Sequence, residues 1–228
     1  MKLIWKTTAI VIILSFLISS LAYSISSTDF QIGSNKILVT GFEPFGTHEI
    51  NPSQLIAETL DGQYINGAEI VGIVLPVDFE ESVEVITQAI DDYAPIILIS
   101  TGLAARRHTV DVEKWGINLK SLSRNESMWF IPRRLDPYGP IFRLSSIDTR
   151  EIVREIRNAK IESRQSIFAG LYVCNAVLYG SLSYICKHDL PTKAGFIHVP
   201  LLKSQDPNGM DLETMVEAVT IAIKTSLK

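Results

Sequence analysis

Pro95-Ile96-Ile97-Leu98-Ile99-Ser100 is an unbroken apolar run that closes on a polar residue. A strand with apolar side chains at both odd and even positions is buried on both faces, as strands are in a helix-covered parallel sheet. The flanking sequence agrees. Phe79 to Tyr93 carries Val83, Val85, Ile86 and Ile90 at the spacing of an amphipathic helix. Before it, Ile37-Leu38-Val39-Thr40 reads as a first strand ending at Gly41, and Glu69 to Leu75 as a second, stopped by Pro76. Between those strands Asn51-Pro52-Ser53 opens a helix, with Asn51 or Ser53 as cap and Pro52 suited to the first turn. Downstream, the pattern predicts helix over Ile147 to Ile161, strand over Ser166 to Val173 and helix over Asn175 to Lys187. A short strand over Gly195 to Val199, closed by Pro200, and a last helix over Leu212 to Leu227 complete the series. Trp115 to Ser146 holds Pro132, Pro137 and Pro140 without a clean period, and is expected to be irregular loops and short edge strands. Alternating strand and helix predicts an α/β fold: a three-layer α/β/α single domain around a mixed, mostly parallel, twisted sheet.

Composition narrows the function classes. The 228 residues are 46% hydrophobic and 20% charged, as in ordinary globular proteins, and show no repeat or low-complexity tract. The net charge of −4 becomes more negative without the N-terminal segment carrying Lys2 and Lys6, so no electrostatic footprint for nucleic acid exists. The pairs Arg106-Arg107 and Arg133-Arg134 read as solvated surface.

The N-terminus differs in kind. A basic start, Met1 to Lys6, precedes an uncharged stretch from Thr7 to Ser27, and small residues permit cleavage after Ala22 or Ser24. Residues 1–24 are expected to be a signal peptide, with an uncleaved membrane anchor or a buried helix as alternatives. The first two imply export, to a periplasmic or extracellular space or to a membrane surface. Cysteine usage then matters. Cys174 and Cys186 would lie roughly 18 Å apart on one helix, beyond disulfide reach. This is not a disulfide scaffold, and an unpaired cysteine in an oxidising compartment needs a reason.

Cys174 follows an apolar run and precedes a helix, where the positive end of the helix dipole favours a nucleophilic sulfur. A buried structural cysteine is the competing reading. Cys186 has the weaker case at the far end of the same helix. His198, in Gly195-Phe196-Ile197-His198-Val199-Pro200, ends a strand from which imidazole can reach a neighbouring loop, or it is a half-buried histidine satisfied by backbone. His48, His108 and His188 read as surface. Cysteine and histidine on separate elements form a candidate pair that needs a third, orienting group, and the residues alone do not choose among many acids.

Four collinear segments resemble the pyroglutamyl-peptidase I (pyrrolidone-carboxylate peptidase) family. They are Gly41 to Gly46 with Asn51-Pro52-Ser53; Gly102 to Arg107 through Val112-Glu113-Lys114 to Asn118; Ala169 to Asn175; and Ala194 to Leu201. The likeness runs from about Lys36 to the C-terminal helix, so a catalytic domain over 36–228 is expected. The resemblance implies a cysteine peptidase that releases N-terminal pyroglutamate (5-oxoproline) from peptides through an acyl-enzyme, without metal or cofactor. It implies Cys174 as nucleophile, His198 as general base and acid, Glu113 as the carboxylate orienting His198, and Phe42 and Phe45 as the lining of the lactam pocket. It also implies a homo-oligomer and, for the family at large, a cytoplasmic location. A lactam ring has no charged amine to grip, so apolar faces and backbone hydrogen bonds suit it. Without the resemblance, Phe42 and Phe45 read as loop anchors in the core.

This chain departs from the family pattern at Thr47, at Arg106 and at Lys114, where glycine, glycine and arginine are usual. The stretch Leu119 to Ser127 lacks the family's arginine followed by Pro-Asp-Asn, and Arg124 is the nearest substitute in sequence. Two other functions stay in view: a related cysteine hydrolase with a different N-blocked substrate, and a non-catalytic binding module of the same fold.

Overall fold

Strand β1 (Lys36–Phe42) lies in the middle of a seven-stranded sheet and pairs in parallel with β3 (Ala68–Leu75) on one side and β4 (Ile97–Leu103) on the other. The computed structural model describes residues 35–121 and 133–228, and residues 35–228 form one compact unit. The predicted leader and Arg124 lie outside the described residues. A two-residue strand, β2 (Tyr64–Ile65), adds antiparallel to β3 at one edge. Beyond β4 come β9 (Lys193–Val199), β5 (Val110–Glu113) and β8 (Ser163–Ser166), giving the order β2-β3-β1-β4-β9-β5-β8. β9 is parallel to β4, whereas β5 runs antiparallel to β9 and carries β8 with it. The sheet is therefore mixed and mostly parallel, as the alternation predicts. β6 (Trp115–Ile117) and β7 (Phe142–Leu144) form a separate two-stranded ribbon in the region read as irregular.

Helices cover both faces. α1 (Pro52–Leu60), α3 (Thr149–Asn158) and α5 (Leu212–Ser226) bury Ile56, Ile152 and Val219 against Ile37, Val39 and Ile197. α2 (Glu81–Tyr93) and α4 (Val173–Lys187) bury Ile86, Ile90, Val177 and Leu182 against Leu38, Leu98 and Phe196 on the opposite face. Neighbours in sequence on a strand thus feed opposite cores, which is the geometric content of the unbroken apolar runs. The three-layer α/β/α architecture is present.

One reading of local structure changes, and one strand has no counterpart in the sequence reading. The apolar stretch from Ser166 to Val173 is not a strand: β8 lies earlier, at Ser163–Ser166, and 167–172 is irregular, with Gly170 at φ 86°. Ile167, Phe168 and Tyr172 are exposed, so these residues lack the sheet partner that their composition suggested. Conversely, Val110–Glu113 is a fully buried strand, although charged residues alternate along it.

The turn after β1 is fixed by α1. Asn51 Oδ1 accepts from Ser53 N–H at 3.1 Å and from Ser53 Oγ at 2.8 Å, while its Nδ2 donates to Glu43 C=O at 2.9 Å. Phe42 N–H donates to Ser53 Oγ at 3.1 Å. The approach is so close that a Cβ on Gly41 would sit 2.0 Å from Ser53 C=O. Asn51 therefore caps the helix and ties down the loop carrying Phe42 and Phe45. Asn51→Ala should destabilise the fold by about 2 kcal/mol, since it removes a cap and leaves a buried acceptor-donor set open. Urea unfolding measures this; a loss below about 0.5 kcal/mol would contradict the clamp.

Candidate active site

His198 sits near the C-terminal end of β9, between two strands that treat it differently. On one side its register partner is Gly102 of β4; on the other it is Asp111 of β5. Gly102 leaves room. A Cβ there would meet Cys174 Sγ at 2.9 Å and Phe196 Cζ at 2.8 Å, so the bare backbone is what admits the sulfur to the sheet surface. Cys174 comes from above, as the second residue of α4. The start of that helix has no side-chain cap but is held by Asn175, whose side chain accepts from Ile117 N–H at 2.8 Å and donates to Ile117 C=O at 2.7 Å and Leu119 C=O at 2.8 Å.

Glu113 reaches His198 along the diagonal of the β5–β9 pair. Its Oε1 is 2.8 Å from His198 Nδ1, and the carboxylate is wholly buried. The same oxygen accepts from Arg107 Nη1 at 2.7 Å. Burial works against charge on both partners. Even so, Glu113 is held below the ordinary carboxylate value by the hydrogen bond and charge of His198, with Ser166 and Arg107 adding to it. His198 is raised from 6.5 to about 9: desolvation opposes this, but Cys174, through charge and a side-chain hydrogen bond, and Glu113 outweigh it. The imidazole is therefore cationic at neutral pH, facing a sulfur on one side and a carboxylate on the other.

Cys174 and His198 open into a cleft of about 1370 Å³. Phe42 and Phe45 line it, together with Val77, Phe79, Leu103, Phe168 and Tyr172; its charged and polar members include His48, Asp78, Glu80, Arg106, Arg107 and Lys120. The sequence-predicted residues thus gather at one place. Phe42 also satisfies its core reading, being 3% exposed and packed 6.5 Å (ring centroids) from Phe196. Phe45 is half-buried and meets His48 edge-on at 5.9 Å. Cys186 is exposed at the far end of α4, where it accepts from Arg143 Nη1 at 3.1 Å. Among the described residues, no group of three or more His, Cys, Asp and Glu is arranged to hold a metal ion.

Sequence reasoning missed several neighbours. Arg107 was paired with Arg106 as solvated surface, yet only Arg106 is exposed; Arg107 is engaged with two buried acids. His48 was read as surface and lines the cleft. The rim aromatics Phe79 and Tyr172, edge to face at 5.5 Å, had no local signal beyond being apolar. Titration of the His198 ring, followed by NMR, should show a midpoint near 9. Cys174→Ala should lower it. Because the folded value is raised, the stabilisation is complete below about 6.5 and is lost as pH climbs through about 9. Wild-type unfolding free energy should fall across that window more than the variant's; an ordinary midpoint in the wild type would refute the raised imidazole value.

Comparison with known proteins gives one family. The model of the family described as pyroglutamyl peptidase matches residues 35–228. Pyrrolidone-carboxylate peptidase 1 of Caldanaerobacter subterraneus subsp. tengcongensis is 39% identical over 200 residues, covering 85% of this chain and 98% of that protein. The pyrrolidone-carboxylate peptidase of Pyrococcus furiosus is 36% identical over 204 residues, with the same two coverages of 85% and 98%. Among solved structures, pyrrolidone carboxyl peptidase from Thermococcus litoralis superposes with a TM-score of 0.79 at 32% identity, over 84% of this chain and 93% of that one.

Proposed function

The chain belongs to the pyroglutamyl peptidase family and is a pyroglutamyl peptidase, and from that premise we propose that Cys174, His198 and Glu113 are the groups that carry out the hydrolysis. The observation that supports this reading is the hydrogen-bonded contact of buried Glu113 with His198, together with the opening of His198 and Cys174 into one cleft.

The chemistry follows from where the proton rests. His198 holds it, leaving Cys174 sulfur free to attack the carbonyl carbon of the pyroglutamyl residue. A C–S bond forms, and the tetrahedral adduct collapses by breaking the C–N bond. His198 gives its proton to the departing amine, which leaves as the shortened peptide. Water then attacks the thioester while the now neutral His198 takes a proton from it. The acid is released, and sulfur and imidazolium return to their starting state. Glu113 orients the imidazole and stabilises its charge throughout. No step calls for a metal or cofactor.

The substrate end of the peptide is a neutral ring. Phe42 and Phe45 supply apolar faces for it, and a free amine in the same place would bury an unpaired charge. The homo-oligomer that the resemblance implies is proposed on that ground alone. Export is likewise proposed from the basic start and uncharged stretch at the N-terminus. The family match begins at residue 35 while the relatives are covered almost completely, so the first 34 residues are an addition to the catalytic unit.

With a fluorogenic pyroglutamyl amide, Cys174→Ser or Cys174→Ala should abolish turnover and His198→Ala should be nearly as damaging. Glu113→Gln should cost on the order of a hundredfold or more, and Cys186→Ser should be close to neutral. In the same assay the matching glutamine amide should be rejected by orders of magnitude. Activity surviving in Cys174→Ser, or equal turnover of the two amides, would defeat the assignment. N-terminal sequencing of native protein should find a start shortly after Ala22 or Ser24 in a fraction outside the cytoplasm. An intact Met1 in the soluble cytoplasmic fraction would exclude export.

A further inference from the structure

Asp111 and Glu113 stand two residues apart on β5, so both point to one face of the sheet, and both are fully buried. Two carboxylates in that relation repel unless a cation separates them. Arg107 is that cation. From the loop between β4 and β5, its Nη1 donates to Asp111 Oδ2 at 2.7 Å and to Glu113 Oε1 at 2.7 Å. Its Nη2 donates to Phe168 C=O at 3.0 Å. Phe168 belongs to the irregular stretch 167–172 that delivers Cys174 to the site. Asp111 is itself held from behind, by Arg164 Nε at 2.9 and 3.0 Å and by Thr109 Oγ1 at 2.5 Å. One guanidinium thus touches both sides of the candidate machinery, the carboxylate behind His198 and the strap ahead of Cys174.

We propose that Arg107 is a positioning residue for the hydrolysis: clamped by Asp111, it fixes Glu113 Oε1 against His198 and anchors the Phe168 carbonyl, and so the approach of Cys174, to the same point. This rests on the Cys174-His198-Glu113 reading above. A lysine does not substitute, because the task needs two nitrogens of a planar fork aimed at three oxygens on two segments, which a single ammonium cannot reach together.

A role in positioning has an electrostatic signature that a purely structural role lacks. The groups facing Glu113 are His198 from β9, Ser166 and Arg164 from β8, Asp111 from its own strand and Arg107 from the loop, with Cys174 acting through His198. Arg107 helps hold Glu113 ionised. Without it, Glu113 keeps its proton to higher pH beside the unscreened Asp111, and a neutral Glu113 no longer supports the imidazolium. The acidic limb of the kcat/KM profile must therefore move to higher pH.

The test uses the full enzyme with Arg107→Lys and Arg107→Gly, assayed with the pyroglutamyl amide across pH, with thermal melting to confirm folding. Arg107→Lys should lose on the order of tenfold to a hundredfold in kcat/KM, by analogy with other groups that orient a functional ligand, and its acidic limb should move upward. Arg107→Gly should recover activity several-fold when methylguanidinium is added at concentrations that leave wild type and Arg107→Lys unchanged. Iodoacetamide labelling of Cys174 gives a readout independent of substrate and should slow in both variants. A folded Arg107→Lys with wild-type kcat/KM and an unmoved acidic limb would overturn the proposal, as would a folded Arg107→Gly that methylguanidinium does not rescue. If Arg107→Gly does not fold, Arg107→Lys decides alone. Failure of the triad itself is seen separately, as turnover surviving in Cys174→Ser.

Discussion

The contact between Glu113 and His198 is the constraint around which the site is built. A carboxylate with no solvent exposure is tolerable only if its charge is matched, and here the match comes from a strand that runs the opposite way. Antiparallel pairing of β5 with β9 sets Asp111 directly across from His198 and Glu113 one step along, across from Phe196. The shorter acid lies opposite the imidazole and the longer one reaches it diagonally, which frees Asp111 to hold Arg107. Had β5 been parallel to β9, this pairing would not arise. The reversal in an otherwise mostly parallel sheet brings this pair of buried acids to the edge of the β4–β9 seam.

The other side of His198 depends on an absence. Gly102 is its partner on β4, and the space that a side chain would fill is where Cys174 sulfur approaches. The helix carrying Cys174 is held by bonds from Asn175 to the backbone of β6 and its following loop, so the otherwise irregular region after β5 acts as a buttress for the proposed nucleophile. Sheet, ribbon and helix thus converge on a pair of side chains without any of them crossing the cleft.

Much of this was legible in the sequence, for identifiable reasons. Strands buried on both faces announce themselves as apolar runs, and Ile37 to Thr40 and Pro95 to Ser100 both lie in the centre of the sheet. The cap at Asn51 is a local signal and sits where it was expected. Val110–Glu113 was not legible, because a strand with two buried acids looks half-exposed until its cations are known, and Arg107 and Arg164 come from other segments. Ser166 to Val173 failed in the opposite sense. Phe168 and Tyr172 line the cleft rather than joining the sheet, and Gly170 at positive φ interrupts any extended run. The proposed triad could be named only through the family resemblance; Cys174 and His198 alone gave a candidate pair, and nothing local singled out Glu113 among 25 acidic residues.

The charged series behind the cleft and the aromatic residues that line it bear on the proposed preference for a blocked N-terminus. Behind the cleft, signs alternate from Asp111 through Arg107 and Glu113 to His198, so each of these charges has an opposite neighbour. Under the proposed pocket reading, a charged substrate end set between Phe42 and Phe45 would exchange water for apolar faces, and among the described residues only Asp78 and Glu80 elsewhere in the lining offer it a carboxylate. A lactam loses far less: its one amide needs hydrogen bonds that backbone groups can supply, and its ring displaces water from apolar surface. On the proposed reading, discrimination against free amines rests on the apolar faces of Phe42 and Phe45 and needs no dedicated repulsive group.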